Sequence, residues 1–140
     1  MHELSAGVIV FKRINGKPIY LLLHYRHGRG YWDFSKGHLE KNETEKQAAI
    51  RELKEEAGIT DIKLIDSFKE KLSYHFMNGN EKSFKEVTYF LAETNSSKVT
   101  ISEEHVGFLW ADYEKAMEMI MFENTKEILK KANKIASKQK

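Results

Sequence analysis

Glu52 follows directly on Arg51, and Glu55 and Glu56 stand three and four residues after Glu52. At about 100° per residue those spacings put all three carboxylates on one flank of a helix. Two kinds of chemistry are compatible with such a flank. On a solvated surface the like charges cost only about 0.2–0.5 kcal/mol per pair, so no ligand is needed. Where the dielectric is low, repulsion at 4 Å rises toward ~4 kcal/mol per pair, and a hard cation would offset it. An oxygen-only donor set suits Mg²⁺ or Mn²⁺ better than zinc. Arg51 stands four residues before Glu55, within reach of an ion pair that orients the carboxylate. Spacing alone leaves both readings open.

A helix over Thr44–Ala57 must carry these residues. Thr44 suits the N-cap, and Gly58 suits the left-handed position after the last turn. Ala49, Ile50, Leu53 and Ala57 form an apolar arc that would pack on a sheet. Strands are expected at Leu4–Lys12 and Ile19–Tyr25, joined by an Asn15-Gly16 hairpin turn. Further strands are expected at Ile62–Phe76 and Lys85–Glu93, connected through Asn78-Gly79-Asn80, and at Val106–Trp110. Residues 27–38, HGRGYWDFSKGH, read as a glycine-punctuated loop. Tyr113–Phe122 and Thr125–Ala136 follow helical spacing, the lysines from Lys126 onward forming a solvated face. Strands around a central helix, with helices at the end, predict an α/β fold with a mixed sheet between helices.

The 140 residues fit one domain, 1–140, with no repeat or linker. A hydrophobic share of 41% against 31% charged predicts a globular chain rather than a disordered one. The formal net charge is only +2, so any anion site must be local, and no stable nucleic-acid partner is expected. Cysteine is absent, which excludes disulfides and thiolate chemistry. No stretch approaches the roughly 18 apolar residues of a membrane span, and the N-terminal apolar run is too short for a signal peptide. A cytoplasmic protein of unassigned oligomeric state is the expectation.

Gly37, five residues, Glu43, seven residues, then Arg51-Glu52-Leu53-Lys54-Glu55-Glu56-Ala57-Gly58-Ile59 resembles the Nudix box, GX5EX7REUXEEXGU, at every position. Seven fixed residues, each at a background near ~7%, coincide by chance about once in 10⁸ trials. The resemblance implies a Nudix-type α/β/α sandwich that hydrolyses a nucleoside diphosphate linked to another group, with Mg²⁺ as cofactor and Mn²⁺ as a possible substitute. It implies that Glu52 and Glu56 are the principal metal ligands and that Glu55 contributes directly or through water. Glu43 would brace the loop. The backbone of Gly37 would approach the metal, which a missing side chain permits. Water is the nucleophile in such chemistry, so no serine or cysteine is required.

Outside the box, several stretches resemble the asymmetric diadenosine tetraphosphate hydrolases within that family. They are Trp32-Asp33-Phe34-Ser35-Lys36-Gly37-His38, Lys85-Glu86-Val87-Thr88-Tyr89-Phe90-Leu91-Ala92, and Ser102-Glu103-Glu104-His105 with Trp110. Ser35 stands where those enzymes usually have proline. The resemblance implies a nucleotide substrate, with Arg51, Glu55, Glu56 and Glu104 in the catalytic set and Glu104 as a further metal carboxylate or general base. Lys36, Tyr74, Lys85 and Phe122 are the candidate substrate contacts, the lysines for phosphate and the aromatics for adenine. Each has a plainer reading: Lys85 as solvated edge charge, Tyr74 and Phe122 as core aromatics, Glu104 as an exposed acid. His38 and His105 are expected to brace loops. Competing functions are an RNA 5′-end pyrophosphohydrolase, a hydrolase of another nucleoside diphosphate-X compound such as ADP-ribose, and a silent nucleotide-binding module.

Overall fold

The computed structural model describes residues 2–26 and 30–138. Strand β1 (His2–Ile14) turns at Asn15-Gly16 into β2 (Lys17–Tyr25). Both turn residues take positive φ, 53° and 80°, the conformation that an Asn-Gly hairpin turn supplies. After β2 come β3 (Tyr31–Asp33), β4 (Ser35–His38) and α1 (Glu45–Ala57). The hairpin β5 (Ile62–Asn78) and β6 (Glu81–Thr94) follows, then β7 (His105–Ala111), α2 (Tyr113–Met119) and α3 (Glu123–Ala136).

All seven strands belong to one sheet, in which β1 is the hub. It runs parallel to β6 and antiparallel to β2 and β4, which makes the sheet mixed. Its alternate residues feed two separate cores. Ile9 and Phe11 pack beneath α2 and α3, against Ala116, Ile128, Leu129 and Ala132. Ala6, Val8 and Val10 pack on the opposite face against Ala48, Ala49, Leu53 and Ala57 of α1. The layers are therefore α/β/α. Leu53 is completely buried, and burial of a leucine contributes about 1.5–3 kcal/mol to seating the helix.

Helix α1 begins and ends as its sequence requires. Thr44 Oγ1 accepts from the Gln47 amide at 3.1 Å, and the Gln47 side chain accepts from the Thr44 amide at 2.9 Å, a reciprocal capping box. Gly58 ends it at φ 71°, donating its amide to the Lys54 carbonyl at 3.0 Å.

Three expectations need correction. The stretch 27–38 is not all loop: 31–33 and 35–38 pair with β2 and β1 respectively, while 27–29 lie outside the described residues. Short strands with no β-branched residue are held here by their neighbours' open edges rather than by propensity. Ile50, placed on the buried arc, is 39% exposed, because it sits at that arc's margin. Helix α2 stops at Met119, since Ile120 turns extended and bridges to Trp32.

Candidate active site

The three glutamates of α1 occupy three different environments. Glu55 is the outermost, its side chain 55% exposed. Glu52 lies at the cleft wall with its side chain 14% exposed. Glu56 is turned inward and is only 2% exposed. It stands three residues after Leu53 as well as four after Glu52, so it belongs to the apolar arc and the acidic one at once.

That buried carboxylate is enclosed by donors. Ser35 Oγ donates to Glu56 Oε1 at 2.8 Å, and the Lys36 amide donates to the same oxygen at 3.0 Å. The Tyr25 hydroxyl lies 3.3 Å from Oε2 and 2.9 Å from the Phe34 carbonyl, so its one proton is shared. His105 Nε2 is also 3.3 Å from Oε2, close enough for an ion-pair contact but off the line of a good hydrogen bond. On the far side of its ring, His105 Nδ1 meets Ser102 Oγ at 3.0 Å, so this histidine does brace a loop. Burial, and then the Glu56 charge, hold the Tyr25 phenol well above its ordinary value.

Arg51 organises the other two glutamates. Its Nη1 lies 2.9 Å from Glu52 Oε1 and 3.1 Å from Glu55 Oε2. Its Nε donates to Glu43 at 2.6 Å, and its Nη2 donates to the His38 carbonyl at 2.9 Å. Glu43 in turn accepts from the Glu40 amide at 2.9 Å. One guanidinium thus fastens α1 to the loop before it, and Glu43 has the bracing geometry. His38 reaches this network only through its backbone, since its ring is largely exposed and 4.0 Å from Glu3.

Glu52 carries the electrostatic strain. Burial, followed by the negative charge of Glu56, pushes its carboxyl up to about 7, although Arg51 pulls the other way. A Cβ on Gly37 would fall inside the Glu52 carboxylate, so only glycine lets that carboxylate lie against the β4 backbone. Among the described residues no ready-made cage of three acidic or histidine side chains surrounds one point. The donor set nonetheless fits a hard divalent cation: carboxylate oxygens beside a glycine backbone, with no sulfur, and one carboxylate kept from easy ionisation by its neighbours.

Two clefts meet at Lys36. One, of about 440 Å³, is lined by Gly37, Arg51, Glu52, Glu55 and Glu104. The other, of about 710 Å³, is lined by Tyr74, Phe76, Met121 and Phe122. Tyr31, Lys36 and Lys85 border both. All four candidate substrate contacts therefore share one cavity, and Gly37, Glu52, Glu55 and Glu104 share the other. Glu56 borders neither.

Lys36 is fixed from several sides. Its Nζ lies 3.3 Å from Asp33 Oδ2, 3.5 Å from the Tyr31 hydroxyl and 4.5 Å from the centre of the Tyr25 ring. Burial alone would lower its pKa, but Asp33 and then Tyr31 outweigh it and hold the ammonium above its ordinary value. Lys85 makes no ion pair among the described residues, and burial, then the Lys36 charge, lower its pKa. Tyr74 and Phe122 are 41% and 48% exposed on the cavity wall, not core aromatics. Phe122 sets its edge against Tyr31, with ring centroids 5.5 Å apart.

Tyr25, Tyr31 and Asp33 are not singled out by the sequence, and Ser35 only as a departure from the usual proline. The signal that could find them is the alternation along 31–38, which the glycines at 28, 30 and 37 mask.

A carboxylate-bearing helix, braced by one arginine against a glycine strand at the edge of a mixed sheet, defines a class. The NUDIX domain profile matches residues 1–132, and the chain belongs to that family. It is similar to bis(5′-nucleosyl)-tetraphosphatase [asymmetrical] of Caenorhabditis elegans, 35% identical over 130 residues and 91% of each chain. The enzyme of the same name from Sus scrofa is 32% identical over 139 residues and 92% of each. A crystal structure of a C. elegans Ap4A hydrolase binary complex superimposes with a TM-score of 0.85 at 31% identity, covering 95% of this chain and 96% of that one. Among the described residues no helix is long and apolar enough to cross a membrane.

Proposed function

We propose that the chain hydrolyses diadenosine tetraphosphate asymmetrically, yielding ATP and AMP. The observation that carries this reading is the ledge of Lys36 and Lys85 between one aromatic cavity and one carboxylate cleft. A base seated against Tyr74 and Phe122 stands at a set distance from the carboxylates, so the polyphosphate is presented in one register. The relatives named above carry the same activity in their names.

Glu52, Glu55 and Glu56, with the Gly37 backbone, are the groups that would hold Mg²⁺, with Mn²⁺ as a substitute. Such a cation neutralises phosphate oxygens and makes bound water acidic enough to attack. Ser35, Tyr25 and the Lys36 amide keep Glu56 in one orientation. Arg51 keeps Glu52 and Glu55 side by side. Glu104, exposed on the same cleft, is the candidate to take the proton from the attacking water. The water oxygen joins one phosphorus, the bridging P–O bond breaks, and its electron pair leaves with the departing phosphate. Lys36 and Lys85 steady the phosphates that do not react, and adenine stacking adds about 1–3 kcal/mol.

Chromatography of the products formed with Mg²⁺ tests the proposal, and ¹⁸O-labelled water identifies the phosphorus attacked. Equal ATP and AMP is the expected result. Two molecules of ADP would overturn the asymmetric reading. Much faster release of pyrophosphate from triphosphorylated RNA would favour the RNA 5′-end reading, and no turnover of any dinucleoside polyphosphate would favour a silent binding module.

A further inference from the structure

Where the carboxylate cleft meets the two lysines lies a buried hydroxyl with no bonding partner among the described residues. Ser5 is 3% exposed, and its Oγ has no hydrogen-bond partner among the described residues. Buried hydroxyls are ordinarily paired, because leaving one unpaired opposes folding. Ser83 is likewise buried and unpaired, but it borders neither cleft. Ser5 borders the carboxylate cleft together with Lys36, Gly37 and Lys85.

The sheet register places this hydroxyl between the two lysines. At this point β1 is flanked by β4 on one side and β6 on the other. Lys36 of β4 pairs with Gly7, and Lys85 of β6 pairs with Glu3. Directly paired residues share a face, as do residues two apart on a strand. Glu3, Ser5, Gly7, Lys36 and Lys85 therefore lie on one face, with Ser5 at the midpoint of the diagonal from one lysine to the other. Gly7 has no side chain to obstruct it, and a Cβ there would collide with the Ser35 carbonyl and Lys36. The Lys36 charge acts on Lys85, so the two ammonium groups are within electrostatic reach of each other. Two carboxylates face the lysines: Glu3, 4.0 Å from the His38 ring and beyond Ser5 from Lys36, and Asp33, 3.3 Å from the Lys36 ammonium.

We propose that Ser5 is a substrate contact, donating its hydroxyl proton to an oxygen of a phosphate drawn between Lys36 and Lys85. This rests on the polyphosphate reading above. It adds a neutral donor at the midpoint of a two-cation seat, and it explains why the donor is unpaired in the free protein: its partner arrives with the substrate.

The test uses Ser5→Ala, Ser5→Thr and Lys85→Ala in the full chain, with ATP, the larger product, as the competing ligand. A hydrogen bond to a charged group is worth roughly tenfold or more in affinity, so Ser5→Ala should raise the ATP inhibition constant about tenfold. Ser5→Thr keeps the hydroxyl and should restore most of that loss. Without ligand, Ser5→Ala should melt a few degrees higher, on the order of 2–5 °C, because an unpaired buried group is gone. Mn²⁺ affinity, read by electron paramagnetic resonance, should not change. If Lys85→Ala weakens ATP binding while Ser5→Ala leaves it within about twofold, the seat stands and Ser5 is not part of it. If neither weakens binding, the phosphate reading of this ledge fails, and Ser5 with it. A lower melting temperature for Ser5→Ala would show that the hydroxyl is already paired, which also overturns the proposal.

Discussion

Replacing Glu52 by glutamine should make the metal-free protein more stable at neutral and alkaline pH, while abolishing its turnover. Glu52 titrates at about 7 in the folded chain, against an ordinary 4.5, because it is desolvated and faces Glu56. A raised carboxyl pKa means that the folded state holds a proton which the unfolded state has already released. Between pH 4.5 and 7 the native state therefore binds more protons, and stability falls as pH rises through that window. Taken at face value the shift corresponds to about 3 kcal/mol at about 1.4 per pH unit. Solvent at the cleft mouth screens part of it, leaving roughly 1–2 kcal/mol. Glu52→Gln keeps the shape and cannot ionise, so it escapes this loss. For a domain of this size its melting temperature in EDTA should exceed that of the wild type by about 3–8 °C at pH 8 and converge with it near pH 4.5. The measurement is a pair of melting curves across pH, subtracted so that other titrating groups cancel. A difference that does not vary with pH, or one that favours the wild type as pH rises, would refute the electrostatic account of this site.

Two further perturbations probe the same geometry. Gly37→Ala places a methyl group inside the Glu52 carboxylate, which must swing away by about an ångström; displacement of that size costs on the order of 10²-fold in turnover, with a melting temperature little changed. Near-normal rates would mean that Glu52 tolerates relocation and that the close approach is incidental. Glu104→Ala should lower kcat with little effect on KM, because a proton acceptor acts as water attacks, whereas Glu103→Ala should be close to silent; the reverse ranking in steady-state kinetics would move the role to Glu103.

Much of this is legible in the sequence alone. The capping residues Thr44 and Gly58, the Asn15-Gly16 turn and the strand patterns are local signals, and local signals survive folding. What could not be read depends on residues distant in sequence. Strands β3 and β4 exist because β2 and β1 offer unpaired edges. Ile120 leaves its helix because Trp32 is there to bridge. The box supplied Glu52, Glu55 and Glu56 as one cluster, and helical spacing did put them on neighbouring arcs. Only the partners from β2, β4 and the start of β7 show that Glu56 faces inward to Ser35, Tyr25 and His105, while Glu55 faces solvent. Ser35 departs from the usual proline, and its hydroxyl is a donor to Glu56 that no proline could supply.

The arrangement of the two clefts follows from strand alternation at β4. Lys36 and Gly37 are consecutive, so they point to opposite faces of the sheet. Gly37, opposite Ala6, faces α1 and leaves room for the Glu52 carboxylate. Lys36, opposite Gly7, faces α3 and the aromatic cavity. In the middle of a sheet two such neighbours would be separated by the full layer of backbone. Among the described residues β4 pairs with β1 and no other strand, so its other side, where the Lys36 amide meets Glu56, is an edge around which the clefts can join. In the function proposed above, the polyphosphate bends round that edge, with its base on one face and its reacting phosphate on the other. Shifting the β4 register by one residue would exchange the two faces, sending the lysine toward the glutamates and the glycine toward the base. Gly7 permits the observed register, because any side chain there would strike the Ser35 carbonyl and push β4 off β1.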